Sequence, residues 1–338
     1  MILPHRLRCL AIAGMCCTVS LPASADFFPL GNIHADFVVA GGRTSWAVSK
    51  DTSLPSTDTF LYIPRSYIFV SRQPDPEIYP AKLLGTGGGN IYQPDETWGM
   101  FPAYGMYRFD TGTQKWMKNA QILADPRIQN IVVGIGYSDD CHPYEVWLEF
   151  KNFSNNSTYL SRHDYCSGYF VSVSSAPNLS RVAVGGGEVW ALDASNHPYR
   201  YDGVAQQFTL MPGSLSQLAV GVDGVWGIGA GGQAFEFNAI TQSWDSIGSP
   251  VSAIWAGGDG VFARTCEPVV PENELTLARG GVAGGVRPCT NRLMRYEPVT
   301  RRFVDLSPAN QPDSLSVGTG AGVLGVLPAM RTVMILVE

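Results

Sequence analysis

Apolar and polar residues alternate along most of this chain in short runs of four to seven, each closed by Gly, Asn, Asp or Pro. That period belongs to a strand with one buried face, and no helical period of comparable length competes with it. The clearest stretch runs from Leu215 to Ile247. It reads Leu218-Ala219-Val220-Gly221, Gly224-Val225-Trp226-Gly227, Ala234-Phe235-Glu236-Phe237-Asn238 and Thr241-Gln242-Ser243-Trp244. Four such runs joined by tight turns predict a four-stranded antiparallel meander.

The meander repeats. A second-strand signature recurs around Trp46, Tyr92, Trp147, Trp190, Trp226, Phe262 and Leu324. A third-strand signature recurs at Tyr67-Ile68-Phe69, Met106-Tyr107-Arg108-Phe109-Asp110, Tyr159-Leu160-Ser161-Arg162 and Tyr199-Arg200-Tyr201-Asp202. It returns at Phe235-Glu236-Phe237-Asn238, Leu293-Met294-Arg295-Tyr296 and Val333-Met334-Ile335-Leu336. A fourth-strand signature is Gln114-Lys115-Trp116, Gln206-Gln207-Phe208, Gln242-Ser243-Trp244 and Arg301-Arg302-Phe303. Seven units of roughly 45 residues have the size of propeller blades. The fold class expected is all-β, a seven-bladed β-propeller of four-stranded antiparallel blades. The last unit ends one strand short, so Asp26-Phe27-Phe28-Pro29-Leu30 is expected to supply its outer strand and close the ring. Pro29 suits an outer edge, where one amide donor can be spared.

The residues Phe208-Thr209-Leu210-Met211-Pro212-Gly213, Leu215-Ser216-Gln217-Leu218-Ala219-Val220-Gly221 and Gly224-Val225-Trp226-Gly227 resemble the tectonin β-propellers. Val182-Ala183-Val184-Gly185 and Val189-Trp190 are similar, and the resemblance extends over about residues 178–260. It implies a propeller and lectin-like recognition of glycans or microbial surfaces. Such relatives are commonly described with five or six blades, so six blades is the alternative.

The first 25 residues read as an export signal: His5, Arg6 and Arg8, an apolar run from Cys9 to Leu21, and Ala23-Ser24-Ala25 as cleavage site. The domains expected are a signal peptide at 1–25 and a single propeller at 26–338. Cleavage after Ala25 leaves a secreted or periplasmic chain and, by removing Arg6 and Arg8, takes the net charge from −6 to −8. That balance argues against nucleic acid as a partner. No apolar run after the leader is long enough for a transmembrane segment. Charged residues are only 15% of the chain, and Gly and Pro together are about 18%, as a turn-rich fold with a large core requires.

Export leaves Cys141, Cys166, Cys266 and Cys289, and an oxidising compartment favours two disulfides. In a four-strand meander the connections between strands 1–2 and 3–4 share one face, here called upper. Cys141 precedes strand 2 of unit three and Cys166 follows its strand 3, so they can meet there. Cys266 and Cys289 both fall in the strand 2–3 insertion of unit six. The pairs expected are therefore Cys141–Cys166 and Cys266–Cys289. No pair has the close spacing of a zinc site, and no metal is expected.

Long insertions at about 50–60, 93–105, 149–158 and 264–291 fall on the lower face, and function tends to sit on such loops. Trp98, Phe101 and Tyr104 lie in one of them, outside the repeat pattern, and are candidates to stack on a sugar, with capping of the core beneath as the other reading. Trp46, Trp147, Trp190 and Trp226 are expected to pack between blades. Arg287 and Arg292 belong to a stretch, Arg264 to Arg302, with seven Arg against four Glu, and could engage an anionic glycan. Sequons stand at Asn152, Asn155, Asn156 and Asn178 as candidate glycosylation sites. Asp139-Asp140-Cys141-His142 is a poor metal motif if Cys141 is bridged, and His163-Asp164 has no serine positioned beside it. No nucleophile elbow or P-loop occurs, so no catalytic residue and no cofactor is expected. The function expected is non-catalytic recognition of carbohydrate through loops on one face. The alternatives are an enzyme using the central channel and a protein-interaction platform.

Overall fold

The computed structural model describes residues 26–41, 44–49, 58–63, 68–72, 74, 80–87, 95–119, 122, 125–135, 141–173, 178–258, 260–268, 289–306, 314–317, 323–327 and 332–337. Their strands form seven four-stranded antiparallel sheets, each paired in the order of a meander. A single 3-10 turn, Ala230–Gly232, is the one helical element among the described residues. The innermost strands are Phe37–Ala40, Leu83–Gly87, Ile128–Gly134, Ser180–Gly185, Gln217–Gly221, Ala253–Gly257 and Ser314–Val317. Each lies beside the next, and the last returns to the first, so the sheets stand around an axis as the blades of a propeller. Blade seven takes its outer strand from the N-terminal segment Asp26–His34, where Asp26 pairs with Val337 and Pro29 with Met334. The chain's two ends thus share one sheet, which removes the exposed C-terminal edge.

Two strands sit elsewhere than their signatures suggest. Ile68 and Phe69 of the first signature belong to the outer strand of blade one, Ile68–Ser71, and the third strand is Asp58–Ile63, which begins within the insertion expected at about 50–60. In blade two the second strand is Glu96–Phe101, not the neighbourhood of Tyr92, which lies outside the described residues. The register decides this: Trp98 stands opposite Arg108, as Trp147 stands opposite Arg162 and Trp190 opposite Arg200.

Those tryptophans hold the blades to one another. Trp46 of blade one lies 4.9 Å from Phe109 and 5.3 Å from Trp116 of blade two. Trp147 meets Tyr201 and Phe208 at 5.0 and 5.6 Å, and Trp190 meets Phe237 and Trp244 at 4.7 and 5.7 Å. In each case a second-strand indole is wedged against one aromatic from the third and one from the fourth strand of the next blade. Edge-to-face pairs of this kind add about 0.5–1.5 kcal/mol beyond the area they bury.

Toward the axis the constraint is steric. A Cβ on Gly185 would lie 2.5 Å from the Val220 carbonyl oxygen, and one on Gly221 would lie 2.8 Å from that of Gly257. Gly87, Gly134 and Gly257 end their inner strands against the next blade in the same way. The Gly185→Ala variant should therefore lose about 1–3 kcal/mol to overpacking against the neighbouring backbone. Urea unfolding monitored by tryptophan fluorescence measures it, and an unchanged midpoint would contradict this account of the inner ring.

Candidate functional site

Among the described residues the axis is narrow and almost wholly apolar. The channel among the described residues holds about 80 Å³, space for a handful of waters. Its lining is Gly, Ala, Val, Ile and the hydroxyl of Thr86, with neither carboxylate nor imidazole. The convergence of acids or histidines that a channel-centred active site requires is not found there among the described residues.

The polar chemistry lies farther out, in a triad repeated in blades two, three and four. Each second strand carries Glu two residues before its Trp, so both side chains lie on one face of the sheet. The indole Nε1 donates to that Glu: Trp98 to Glu96 at 2.7 Å, Trp147 to Glu145 at 2.8 Å and Trp190 to Glu188 at 2.5 Å. The Arg opposite each Trp on strand three completes the set. Arg108 Nε donates to Glu96 at 2.6 Å, Arg162 Nε to Glu145 at 2.7 Å and Arg200 Nη2 to Glu188 at 2.9 Å. The buried indole donor is thus satisfied and the carboxylate is paired with the arginine across the strand. Blades one and five lack the Glu, with Thr44 and Gly224 in its place, and the buried Trp46 and Trp226 Nε1 atoms have no partner among the described residues.

The Glu145–Arg162 pair is buried on both sides. Burial pushes the Glu145 carboxyl above the usual carboxylate range, and the bonds from Arg162 and Trp147 pull against that rise. The third-strand aromatic position filled by Phe109, Tyr201 and Phe237 is His163 in blade three. Its ring lies 4.9 Å from Trp98, 4.3 Å from Tyr165 and 4.9 Å from Phe170. Burial first, then the nearby Arg108 cation, lowers its pKa to about 4. His163 is thus an aromatic plug between blades two and three, not half of a catalytic pair.

Between successive blades the triads border open crevices on the upper face. One of about 420 Å³ lies between blades three and four and is lined in part by His142, Arg162, Asp164, Tyr201 and Gln207. Another of about 400 Å³ lies between blades four and five, with Glu188, Arg200, Asp202, Thr209 and Gln242 in its lining. The turns at their rims are alike. Asp202 Oδ1 accepts from the amides of Val204 and Ala205, and Asn238 Oδ1 from those of Ile240 and Thr241. Gln206 and Gln242 then take left-handed backbone angles, φ 52° and φ 53°. A crevice of about 330 Å³ opens on the lower face beside Lys82, Pro102, Ala103 and Asp125.

The residues singled out by sequence fall elsewhere. Trp98 and Phe101 lie within a strand and are 2% and 0% exposed, so neither presents a ring to solvent. Tyr104 is half-buried and packs on the core between blades one and two. These three cap the hydrophobic ring, because Trp98 is the repeat tryptophan of its blade. Arg292 is exposed and its Nη1 lies 3.1 Å from Asp305 Oδ2, whereas Arg287 lies outside the described residues.

Cys141 and Cys166 form a disulfide with Cα atoms 4.9 Å apart, joining the two upper-face connections of blade three. Cys266 and Cys289 do not sit in a loop. They lie on adjoining strands, Gly260–Pro268 and Cys289–Glu297, with Cys266 opposite Asn291 and Cys289 opposite Pro268, and their side chains lie outside the description. Asn152, Asn155 and Asn156 form the lower-face turn of blade three, where Asn155 Oδ1 accepts from the Ser157 amide. Asn178 is exposed at φ 58°. The leader, residues 1–25, lies outside the described residues, and no described helix is long and apolar enough to cross a membrane.

Fold and triads define a β-propeller of four-stranded blades with its polar surface between the blades. Residues 178–263, from blade four into blade six, match the model of the Tectonin domain. No curated protein matches the chain. Among solved structures it is similar to the β-propeller domain of Cps50 (Swd1) from Myceliophteria_thermophila, at 8% identity and TM-score 0.58, covering 91% of this chain and 98% of that one. It is also similar to U3-55K, at 8% identity and TM-score 0.57, with 93% and 98% covered. The RRP9 WD40 repeats align at 8% identity and TM-score 0.57, with 92% and 97% covered. At such identities the likeness is one of fold.

The buried ion pair and the His163 plug can each be tested. Arg162→Met should leave the Glu145 carboxylate buried without its cation and cost about 3–5 kcal/mol, most of it regained in the Glu145→Gln/Arg162→Met double variant. Denaturant melts of the two chains measure the difference, and a double variant as unstable as the single one would refute the pairing.

The second concerns pH. Because the folded His163 pKa lies below its ordinary value of 6.5, the unfolded chain binds the proton more readily. The stability is fully present above pH 6.5 and is lost as pH falls toward about 4. Glu145 and Glu149, raised by burial, act in the opposite sense, so comparison with His163→Phe isolates the histidine. The variant, which restores the aromatic of the other blades, should show a shallower loss of stability on acidification. Parallel slopes for variant and wild type would refute it.

Proposed function

We propose that the chain is an exported, non-catalytic recognition protein that binds carbohydrate in the repeat-related crevices of its upper face. The observation that carries this reading is the recurrence of one polar crevice, at about 420 and 400 Å³, between successive blades. Both volumes lie within the range of small-ligand sites. A sugar ring needs several hydrogen-bond donors and acceptors around its rim and an apolar edge for its C–H groups. Arg200, Glu188, Asp202 and Gln242 offer the first in one crevice, and Tyr201 borders both crevices. All these residues fall inside the tectonin-like segment. Two crevices of one kind on one rigid body suit a repeating or branched ligand, for which modest single-site affinities multiply. The candidates Trp98, Phe101 and Tyr104 have no part in this reading, since their rings serve the core.

A second reading, a platform for a protein partner, has its own support. Val204, Ile240 and Val299 hold the same position in the upper-face turns of blades four, five and six, and are 78%, 94% and 97% exposed. Aliphatic side chains this exposed on one face suit an apolar partner surface.

A glycan array probed with the mature chain separates the two. Specific binding should fall roughly tenfold or more in Arg200→Ala, which loses a charge-assisted donor, without change in melting temperature. The Val204→Glu/Ile240→Glu pair should leave it unchanged. Absence of binding to any glycan, or binding indifferent to Arg200, would overturn the carbohydrate reading.

A further inference from the structure

The outer strand of every blade is a sheet edge with backbone donors and acceptors facing solvent, a template for another strand unless guarded. Most outer strands here carry a guard. Blade two has Lys115 and Lys118, blade five Asp245 and Pro250, and blade six Arg302 and Asp305. Blade seven has Pro29 within its outer strand, and blade four has Pro212 two residues beyond Leu210. In blade one Arg72 follows the strand at once, and the N-terminal segment runs beside it. Blade three differs. Its outer strand, Tyr169-Phe170-Val171-Ser172-Val173, has neither charge nor proline within it or in the two residues that follow. All but Ser172 are β-branched or aromatic, so the segment also has high strand propensity.

We propose that this edge pairs with the same edge of a second copy of the chain, antiparallel about a twofold axis at Val171, joining two blades into one eight-stranded sheet. In that register Val171 faces its own symmetry mate and Tyr169 faces Val173 of the second copy, an aromatic against a β-branched residue, which is a favourable cross-strand pair. Tyr169 and Val171 are 56% and 51% exposed, and the pairing removes this apolar surface from water. Phe170, on the opposite side of the strand, already packs on Trp98 and His163, so it fixes the strand in place.

Three observations select a second copy as the occupant. The segment is uncharged, so two copies approach without the repulsion that Lys115 and Lys118 would bring to a like pairing of blade two. The strand is presented already ordered: the Cys141–Cys166 disulfide clamps the turn before it, the Gly168 amide donates to the Asp164 carbonyl at 2.8 Å, and Asp164 Oδ1 accepts from Cys166 at 2.9 Å. Little ordering cost remains at association. Finally, one unguarded edge per chain gives an isologous pair that closes on itself, whereas two would propagate a fibre. The dimer would present the crevice beside Val171 and Val173 twice, and it stands whether or not that crevice takes a sugar.

Sedimentation velocity on the purified mature chain over a wide concentration range tests the proposal. The wild type should shift from monomer to dimer as concentration rises. Val171→Lys, which sets two cations against each other at the axis, should weaken association roughly tenfold or more. An equimolar mixture of Val171→Lys and Val171→Glu chains should dimerise again. Ser172→Lys, at an already exposed side chain, provides a second monomeric variant, and near-ultraviolet circular dichroism establishes that each variant is folded. A wild type that remains monomeric throughout, a dimer that both lysine variants leave intact, or assembly beyond two copies would overturn it.

Discussion

The indole wedge between blades is the interaction on which the rest of this structure depends. A four-stranded sheet buries too little to stand alone, so each blade must find its core in its neighbour. Five described tryptophans do this: Trp46, Trp98, Trp147, Trp190 and Trp226 are almost wholly buried, each against side chains of the following blade. A bulky second-strand residue therefore recurs in sequence at the blade period. Deleting one such ring would open a cavity at a blade interface, a loss typical of buried aromatic truncations at about 3–5 kcal/mol.

The same geometry decides where function can reside. Inner strands that end in glycine let adjacent backbones approach until the channel has room for little more than water. Toward the rim the blades splay, and the space between them becomes crevices of several hundred Å³. The polar triads stand where tight core gives way to open rim. Glu145 and Arg162 are buried and act as structure, whereas the pair formed by Glu188 and Arg200 is partly solvated and within reach of a ligand. One motif is therefore sealed in blade three and partly open in blades two and four.

How much of this was legible follows from what each feature requires. Strand alternation and the recurrent Trp needed only local pattern, so most blades and the closure by Asp26–Leu30 could be read from sequence. Blade two misled because Trp98-Gly99-Met100-Phe101-Pro102 carries no polar alternation: every residue of Glu96–Phe101 is buried, and a strand buried on both faces reads like an aromatic loop. Blade one misled in the opposite direction, since the outer strand Ile68–Ser71 imitates the signature expected of the third strand, Asp58–Ile63. The Glu–x–Trp spacing was visible in Glu96-Thr97-Trp98, Glu145-Val146-Trp147 and Glu188-Val189-Trp190. Its meaning was not, because the arginine that completes each set is defined by cross-strand register alone. The crevices were beyond sequence reading, since each is made by two blades and belongs to neither.

Departures from the repeat are more informative about this chain than the repeat itself. Gly224 and Glu236 in blade five exchange the acidic side chain between strands: Glu236 stands opposite Trp226 where blades two, three and four have Arg. A lone carboxylate there would be unfavourable, and Arg301 from the turn of blade six supplies the cation, with Nη2 at 2.7 Å from Glu236 and 3.2 Å from Asp245. Tyr296 of blade six donates to the same carboxylate at 3.0 Å. What is an intrablade ion pair in blades two to four thus becomes an interblade strap between five and six. Of the two interblade crevices lined by a third-strand arginine, only four–five has one that is partly solvated, since Arg162 in three–four is buried against Glu145.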